Sequence, residues 1–182
     1  MNVRFAEQHD IKKIAEIYSA CLSEWDTDKS KEKSSSELAH IYKERLRWFE
    51  SREDRYKILV LCDGDKICAF SALDPFGERG CFSFVSEISV YVDPTERRKG
   101  YAKALVERSI KLAKSIGFYK LIVTLFSDNM AGEKLFKDFG FSIVGTYKKL
   151  AYLHGQLIDA NIYSVDLPFD EETIKNFYNN LQ

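Results

Sequence analysis

One long apolar segment, followed by a turn and an amphipathic helix, constrains the fold of this chain more than any other feature. Cys81–Val92 (CFSFVSEISVYV) predicts a strand of about twelve residues, twice the usual length. Asp93-Pro94 then turns the chain, and apolar side chains recur at helical spacing over residues 101–116. Gly117 suits the position after a helix, where a positive φ satisfies the last carbonyls. The sequence therefore predicts a strand, a turn and a helix in direct succession.

The segments on either side of this unit switch between the periodicities of strands and helices. Strands are predicted at Val3–Ala6, Tyr56–Cys62, Ile67–Leu73, Lys120–Phe126, Ser142–Tyr152 and Leu157–Leu167. Helices are predicted after a cap at Asp10, from Ser35 or Ser36 to about Glu50, and from a cap at Asn129 to about Phe139. The second of these helices carries along one side Leu38, Ile41, Tyr42, Arg45, Leu46 and Phe49. The order is β-α-α-β-β-β-α-β-α-β-β, with no repeat and no internal linker.

Two further segments complete the predicted organisation. Residues 1–167 are expected to form one domain and residues 168–182 a helical tail whose apolar stripe includes Phe177 and Tyr178. That stripe packs either on its own domain or on a twin subunit. The polar segment Ser23–Ser36 is either a solvated connector or a lid over a pocket.

Composition and charge exclude several classes of protein. With 182 residues and 45% hydrophobic content, the chain is long enough for one well-packed domain and is not disordered. Its 27 Lys and Arg nearly balance its 28 Asp and Glu, so we expect no nucleic-acid partner. No apolar run approaches the roughly 18 residues of a membrane span, so we expect no membrane partner. Its start lacks the apolar core of a secretion signal, and its four cysteines contain no CxxC motif. We therefore expect a cytoplasmic protein without a metal site.

The segment between the predicted long strand and its helix has the features of an anion site. Arg97-Arg98-Lys99-Gly100-Tyr101-Ala102 leads into the helix, whose first N–H groups lack partners within the helix. Small residues at 100 and 102 allow a ligand to approach these amides, with three basic side chains beside them. The pattern predicts a pyrophosphate cradle, although a capped helix with solvated bases has the same local sequence. It matches neither the P-loop nor the GxGxxG dinucleotide fingerprint.

Taken together, these motifs resemble those of the GNAT superfamily of N-acetyltransferases. They are the R-x-x-G-x-A sequence after a long strand, the Asp-Pro turn, and Asn129–Phe141 (NMAGEKLFKDFGF). The chain is most similar to the phosphinothricin acetyltransferase branch, through Glu87–Val92, Gly140–Thr146 and the later Gly155 and Asp159. The resemblance covers about residues 2–167. It implies an α/β fold with a mixed, mostly antiparallel sheet of about seven strands, four flanking helices and, in this chain, an extra C-terminal helix.

The resemblance also implies acetyl-CoA as cosubstrate and a place for each part of it. Its pantetheine would pair with the backbone of Val90, Tyr91 and Val92 as an added strand. Its pyrophosphate would lie on the amides of residues 98–103, which makes the cofactor-binding candidates of this turn Arg97, Arg98, Lys99, Gly100, Tyr101, Ala102 and Lys103. Asn129 resembles the family asparagine that helps to hold the cofactor, and it suits a helix N-cap equally well.

Acyl transfer to an amine benefits from a base, because only about one alkylamine in a thousand is unprotonated at neutral pH. Glu87 resembles the carboxylate proposed as that base, and the alternative is that it only binds a cationic substrate or pairs with a lysine. An N–H near Val90 would stabilise the oxyanion. Phe136 stands where many superfamily members have a tyrosine as general acid, a departure that is common in this branch.

The same resemblance leads to an expected acceptor and to its alternatives. We expect direct transfer of an acetyl group, in a ternary complex, to the primary amine of a small amino acid or analogue of the phosphinothricin or methionine sulfone type. The acceptor pocket is expected near residues 18–25, 76–82 and 152–159, lined by Trp25, Phe76, Phe82, Phe84 and Tyr152. The alternatives are a protein N-terminal or lysine acetyltransferase and a non-catalytic CoA-binding module. A homodimer is also expected.

Overall fold

A computed structural model describes residues 1–24, 34–77, 80–153 and 155–179, and it contains a single sheet with five α-helices in the described residues. The strands are β1 (Asn2–Phe5), β2 (Ile58–Asp63), β3 (Lys66–Pro75), β4 (Val85–Val92), β5 (Lys120–Phe126), β6 (Ser142–Leu153) and β7 (Gln156–Asp166). The helices are α1 (Ile11–Ser23), α2 (Ser35–Glu50), α3 (Tyr101–Ile116), α4 (Met130–Asp138) and α5 (Glu171–Asn179). Both the element order and the expected fold class are confirmed.

The sheet is mixed, with the strand order β1-β2-β3-β4-β5-β7-β6. Every neighbouring pair is antiparallel except β4 and β5, which run parallel. β4 and β5 meet at the centre of the sheet, and they are joined by only three residue pairs, Val85–Lys120, Ser86–Leu121 and Glu87–Ile122. On its other side β4 pairs with β3 over seven residues. The sheet therefore opens between its two central strands beyond Glu87.

Helices cover the two faces of the sheet. α1 places Ile11, Ile14 and Ile17 on one face, against apolar side chains of β2 and β3. The partly buried Leu46 and Phe49 extend this layer from α2. On the opposite face, α3 buries Leu105, Val106 and Ala113, and α4 adds Phe136. Among the described residues, no helix is both long and apolar enough to span a bilayer.

The structure corrects several predicted boundaries. The strand expected over Cys81–Val92 has eight residues, because Gly80–Phe82 forms a short 3₁₀ turn in which Ser83 donates twice to the Gly80 carbonyl. The second helix is capped by Ser34, whose hydroxyl accepts from the Glu37 N–H. Asp10 does not cap α1 with its side chain. Its carboxylate instead accepts two hydrogen bonds from Arg4, at 2.6 and 2.9 Å.

The C-terminal helix α5 packs on the segment that precedes β4. The ring of Phe177 meets Phe84 edge to face at 4.8 Å between centroids, and the Tyr178 hydroxyl donates to the Gly80 carbonyl at 2.9 Å. Phe84 is only 5% exposed as a result. Of the two predicted packing sites for the tail, the described residues show the one on its own chain.

Candidate active site

The opening between β4 and β5 leaves part of the β4 backbone without a neighbouring strand. Asp93 N–H donates to the Cys68 carbonyl at 2.9 Å, and bonded and non-bonded pairs alternate along an antiparallel ladder. The N–H and C=O groups of Val90 and Val92 therefore point away from β3. Because β5 does not pair with β4 beyond Glu87, the Val90 groups and the Val92 N–H face the gap, whereas the Val92 carbonyl accepts a hydrogen bond from the Cys21 thiol at 3.3 Å. The gap thus presents a short, exposed strand edge in the middle of a sheet.

The turn after β4 and the start of α3 present further backbone donors. Gly100 precedes α3 with a φ of +82° and, as its N-cap residue, has no side chain with which to cap the first turn of the helix. Arg98 also has a positive φ, of 67°, which is uncommon for a residue with a side chain. A Cβ built on Gly100 meets no atom within 4 Å, so the space above these amides is open. The N–H groups of residues 101–103 have no partner within the helix, so the geometry suits an anion.

The basic side chains beside this turn differ in what they already bind. Arg97 forms two hydrogen bonds with Glu24, at 2.6 and 2.8 Å, and Lys99 forms an ion pair with Glu96 at 2.5 Å. Lys66 binds the same Glu96 carboxylate, and the hydrogen bonds from both lysines lower the pKa of Glu96. The Tyr101 ring is buried, and its hydroxyl donates to Asp63 at 2.7 Å. Only the backbone N–H of Tyr101 is therefore available to a ligand at this turn. Ala102 is half-buried and Lys103 is exposed.

On the face of the sheet covered by α1 and α2, a cavity of about 220 Å³ lies over β3 and β4. Its lining residues are Tyr18, Arg45, Trp48, Phe70, Asp74, Glu87, Ser89 and Tyr91. The alternation of β4 places Glu87, Ser89 and Tyr91 together on this face. A larger groove of about 460 Å³ between α1 and α2 includes no residue of the sheet.

Glu87 lies where the cavity meets the opening of the sheet, since it is the last β4 residue paired with β5. Burial raises the pKa of its carboxyl, a hydrogen bond with Thr124 opposes this shift, and the nearby Asp74 carboxylate adds to it. A carboxylate with a raised pKa is a better proton acceptor than a fully solvated one. The position and the pKa direction both suit a base that acts on an amine in the cavity.

Two cavity-lining residues, Arg45 and Trp48, come from α2. The Arg45 guanidinium lies 4.4 Å from the centre of the Tyr18 ring and 5.0 Å from that of Trp48. Trp48 Nε1 donates to Asp74 at 2.9 Å, and Arg52 pairs with the same Asp74 oxygen at 2.6 Å. Tyr91 stacks on Phe70 at 4.9 Å and meets Tyr18 edge to face at 5.2 Å. Aromatic rings thus form the walls, and charged groups lie at defined positions between them.

The aromatic residues predicted for the acceptor pocket do not line this cavity. Phe76 and Phe82 pack on each other at 5.5 Å and are 43% and 37% exposed. Phe84 is buried against α5, and Tyr152 is 67% exposed on the β6–β7 hairpin. Trp25, like most of the Ser23–Ser36 segment, lies outside the described residues.

Two residues named from the family pattern have structural contacts of their own. Asn129 caps α4, with its Oδ1 accepting from the Gly132 N–H at 2.9 Å. A Cβ at Gly132 would come within 2.8 Å of the Asn129 Nδ2 atom, so glycine keeps this cap in place. Phe136 is 3% exposed and packs edge to face on Phe141 at 5.0 Å. The site of the absent tyrosine is therefore filled by a core ring.

Arg45, Trp48, Asp74 and Thr124 are not among the site residues predicted from the sequence. One signal was present, because Arg45 falls on the otherwise apolar side of its helix. A charged residue on a stripe that faces the core needs a partner, and such positions mark candidate sites. Asp74 and Thr124 carry no comparable signal, since only the pairing of β3, β4 and β5 brings them close to Glu87.

Comparison with known proteins agrees with this geometry. The Acetyltransferase (GNAT) family model matches residues 11–141, which is most of the chain. An L-amino acid N-acetyltransferase of Escherichia coli is 29% identical over 160 residues, with 87% of this chain and 93% of the relative covered. The L-methionine sulfoximine/L-methionine sulfone acetyltransferase of Salmonella typhimurium is 24% identical over 172 residues, covering 92% and 95%. The crystal structure of an N-acetyltransferase from Staphylococcus aureus superposes with a TM-score of 0.81 at 26% identity, covering 92% and 98%.

Proposed function

Because the chain belongs to the acetyltransferase (GNAT) family, it is an acetyl-CoA-dependent N-acetyltransferase, and we propose that its acceptor is the primary amine of a small amino acid or analogue. The observation that carries this proposal is the cavity beside Glu87, which holds about 220 Å³. Pockets for drug-sized ligands occupy about 300–1,000 Å³, so this one suits a smaller molecule. Relatives named for L-amino acids and for methionine sulfone support the same class of acceptor.

The cosubstrate is proposed to lie in the opening between β4 and β5. The edge groups of Val90 and Val92 would hold its amide-containing arm, and the uncapped amides at the start of α3 would hold its pyrophosphate. Arg98 and Lys103 would add positive charge, while Arg97 and Lys99 stay with their own carboxylates. When bound there, the cosubstrate supplies an acetyl group as a thioester.

The remaining catalytic roles are assigned to residues of the chain. Glu87 accepts the proton of the ammonium group, directly or through a water molecule, and so prepares the nitrogen as a nucleophile. The Val90 N–H, which faces the opening, donates a hydrogen bond to the acyl oxygen as negative charge develops on it. Phe136 offers no proton, and the thiol has a pKa of about 8.5, so a thiolate can leave without an acid.

Two rival functions predict different behaviour. A protein acetyltransferase needs an open groove for a peptide chain, whereas the walls of this cavity are aromatic rings from both sides. A CoA-binding module without chemistry has no use for a partly buried carboxylate of raised pKa at the end of the strand pairing. Glu87 therefore favours an enzyme.

Two coarser properties complete the proposal. We propose a cytoplasmic location, which is supported by four cysteines without a disulfide among them. We also propose a homodimer, supported by apolar side chains that are more than half exposed on the β6–β7 hairpin, namely Ile143, Val144, Tyr147, Leu150, Tyr152 and Leu157. Light scattering after size exclusion measures the mass directly, and a monomer at micromolar concentration would contradict the dimer.

A panel of amines tests the acceptor class. Release of free thiol from acetyl-CoA is followed with free amino acids, methionine sulfone, polyamines and peptides with a free N-terminus. We expect kcat/KM to be at least a hundredfold higher for the amino acids and analogues than for peptides or polyamines. Preference for peptides would instead identify a protein acetyltransferase, and cofactor binding without transfer to any amine would identify a binding module.

A further inference from the structure

The cavity beside Glu87 contains a cation that no described residue neutralises. The Nε atom of Arg45 is buried and has no hydrogen-bond partner, and Arg45 forms no ion pair with any residue that the structure describes. Arg45 as a whole is half-buried, and burying a polar N–H without a hydrogen-bond partner costs free energy. Among the residues that the structure describes, the guanidinium contacts the aromatic rings of Tyr18, at 4.4 Å, and Trp48, at 5.0 Å.

The two carboxylates that line the same cavity, Asp74 and Glu87, form no ion pair with Arg45. Asp74 is occupied by Arg52, whose side chain is only 9% exposed, and by the indole N–H of Trp48. Glu87 interacts with Thr124 and belongs to the opposite wall on β4. Within the described part of the chain, the cavity therefore has a cation without an ion-pair partner, Arg45 on α2, and the Glu87 carboxylate on β4.

We propose that Arg45 binds the α-carboxylate of the acceptor, so that the enzyme selects free amino acids over amines that lack this group. This inference rests on the proposed function and adds a specificity-determining residue to it. A zwitterionic amino acid carries its ammonium and its carboxylate on one carbon atom. The ammonium lies next to Glu87, and the carboxylate receives the N–H groups of the guanidinium, which favours paired hydrogen bonds to a carboxylate.

The ring contacts explain why arginine suits this role. Stacking on Tyr18 and Trp48 fixes the plane of the guanidinium before the substrate arrives, so little freedom is lost on binding. Lysine keeps the charge but loses the planar fork and most of the stacking. The charge alone is therefore not sufficient, and Arg45→Lys is expected to fall between the parent enzyme and a neutral variant.

The test combines substrate and enzyme variants. L-Methionine sulfone and its carboxamide are similar in shape but differ in the negative charge and in the basicity of the α-amine, so each variant is compared with the parent enzyme on the same compound. Values of kcat/KM are measured for both compounds with the parent enzyme, Arg45→Gln and Arg45→Lys. Arg47→Gln is the matched control, because Arg47 is an exposed arginine on the same helix and does not line the cavity. Melting temperatures show that each variant is folded.

We expect the parent and Arg47→Gln to prefer the acid over the amide by at least fiftyfold. Arg45→Gln should lose about a hundredfold on the acid, mainly through KM, while its rate on the amide stays within threefold. Equal losses on both substrates, or a preference that survives in Arg45→Gln, would overturn the assignment and leave the proposed function intact.

Failure of the proposed function itself has a different signature, namely no transfer to either compound by the parent enzyme. Calorimetric titration of the acid and the amide into the parent and Arg45→Gln then decides the inference by binding alone. Selective binding of the acid that is lost in Arg45→Gln supports it, and its absence overturns it.

Discussion

The cofactor cradle can be tested with two glycines that share a backbone conformation and differ in location. Gly100 begins α3 with a φ of +82°, and Gly117 ends it with a φ of +94°. A Cβ at either position meets no atom within 4 Å. Any L-residue at these positions is strained by about 1–2 kcal/mol. In a chain of this size each kcal/mol lowers the melting temperature by about 2–4 °C, so Gly100→Glu and Gly117→Glu should lose similar stability.

Their effects on CoA binding should differ strongly. Two like charges about 6 Å apart repel by about 3 kcal/mol at an effective dielectric of about 20, and this is the repulsion expected for a carboxylate at position 100 if the pyrophosphate binds at this turn. Each 1.4 kcal/mol is a factor of about ten in affinity, so Gly100→Glu should weaken CoA binding about a hundredfold by calorimetry. Gly117→Glu should bind within threefold of the parent, and Gly100→Ala should separate strain from charge with a loss below tenfold.

Equal affinities for the two glutamate variants would refute the reasoning. That result would mean that the open space above the start of α3 is not where the pyrophosphate binds. A loss confined to melting temperature in both variants would lead to the same conclusion.

Three further predictions concern the base, the core ring of α4 and the tail. Glu87→Gln should lower turnover by about 10²–10⁴-fold with unchanged CoA affinity. Because burial raises the pKa of Glu87, kcat/KM of the parent should rise with pH in a limb centred above 4.5, and Glu87→Gln should lack this limb. The control variant Glu107→Gln on α3 should keep the limb. Phe136→Tyr should change turnover less than tenfold and should cost about 1–3 kcal/mol of unfolding free energy in urea, because it buries a hydroxyl without a partner. Phe177→Ala should cost about 1–2 kcal/mol, roughly half of a full core truncation, while the exposed Lys175→Ala should have no measurable effect.

Each of these has its own contradicting outcome. Turnover of Glu87→Gln within threefold of the parent would remove the base role. A hundredfold gain in Phe136→Tyr would show that an acid was missing and would favour a degenerate CoA-binding module. Unfolding free energy of Phe177→Ala within 0.3 kcal/mol of the parent, a loss smaller than about a tenth of a full core truncation, would show that α5 adds nothing to the domain.

Much of the architecture was predictable because local rules agree with the tertiary structure over long segments. The helical stripe of α3, its closing glycine and the asparagine cap of α4 all depend on residues within a few positions of one another. The start of β4 was not predictable in this way. The apolar residues continue back to Cys81, but Gly80–Phe82 forms a 3₁₀ turn there. The Tyr178 hydroxyl, from the distant tail, donates a hydrogen bond to the Gly80 carbonyl.

The candidate site likewise contains residues that the sequence predicts and residues that it does not. The backbone elements at Val90, Gly100 and Glu87 follow from the strand–turn–helix pattern and from the family resemblance. The residues of the cavity wall do not. Arg45 reaches the cavity beside Glu87 only through the packing of α2 on the sheet, and Asp74 lies opposite Glu87 only through the pairing of β3 with β4. Asp10 shows the same limit, because its arginine partner comes from β1 and replaces the predicted cap.

The narrow join between β4 and β5 also has a mechanical consequence. Three residue pairs connect the half-sheet β1–β4 to the half-sheet β5–β7–β6. A ligand whose amides form hydrogen bonds with the free edge of β4 would lie between the two half-sheets. It would act as an additional strand that is present only while the ligand is bound. Its binding energy then adds to the cohesion of the whole sheet, about 2.7 kcal/mol at a ligand concentration a hundred times the Kd. The rigidity of this protein would therefore follow the supply of its cosubstrate, with slower amide hydrogen exchange in β4 and β5 when the cosubstrate is abundant.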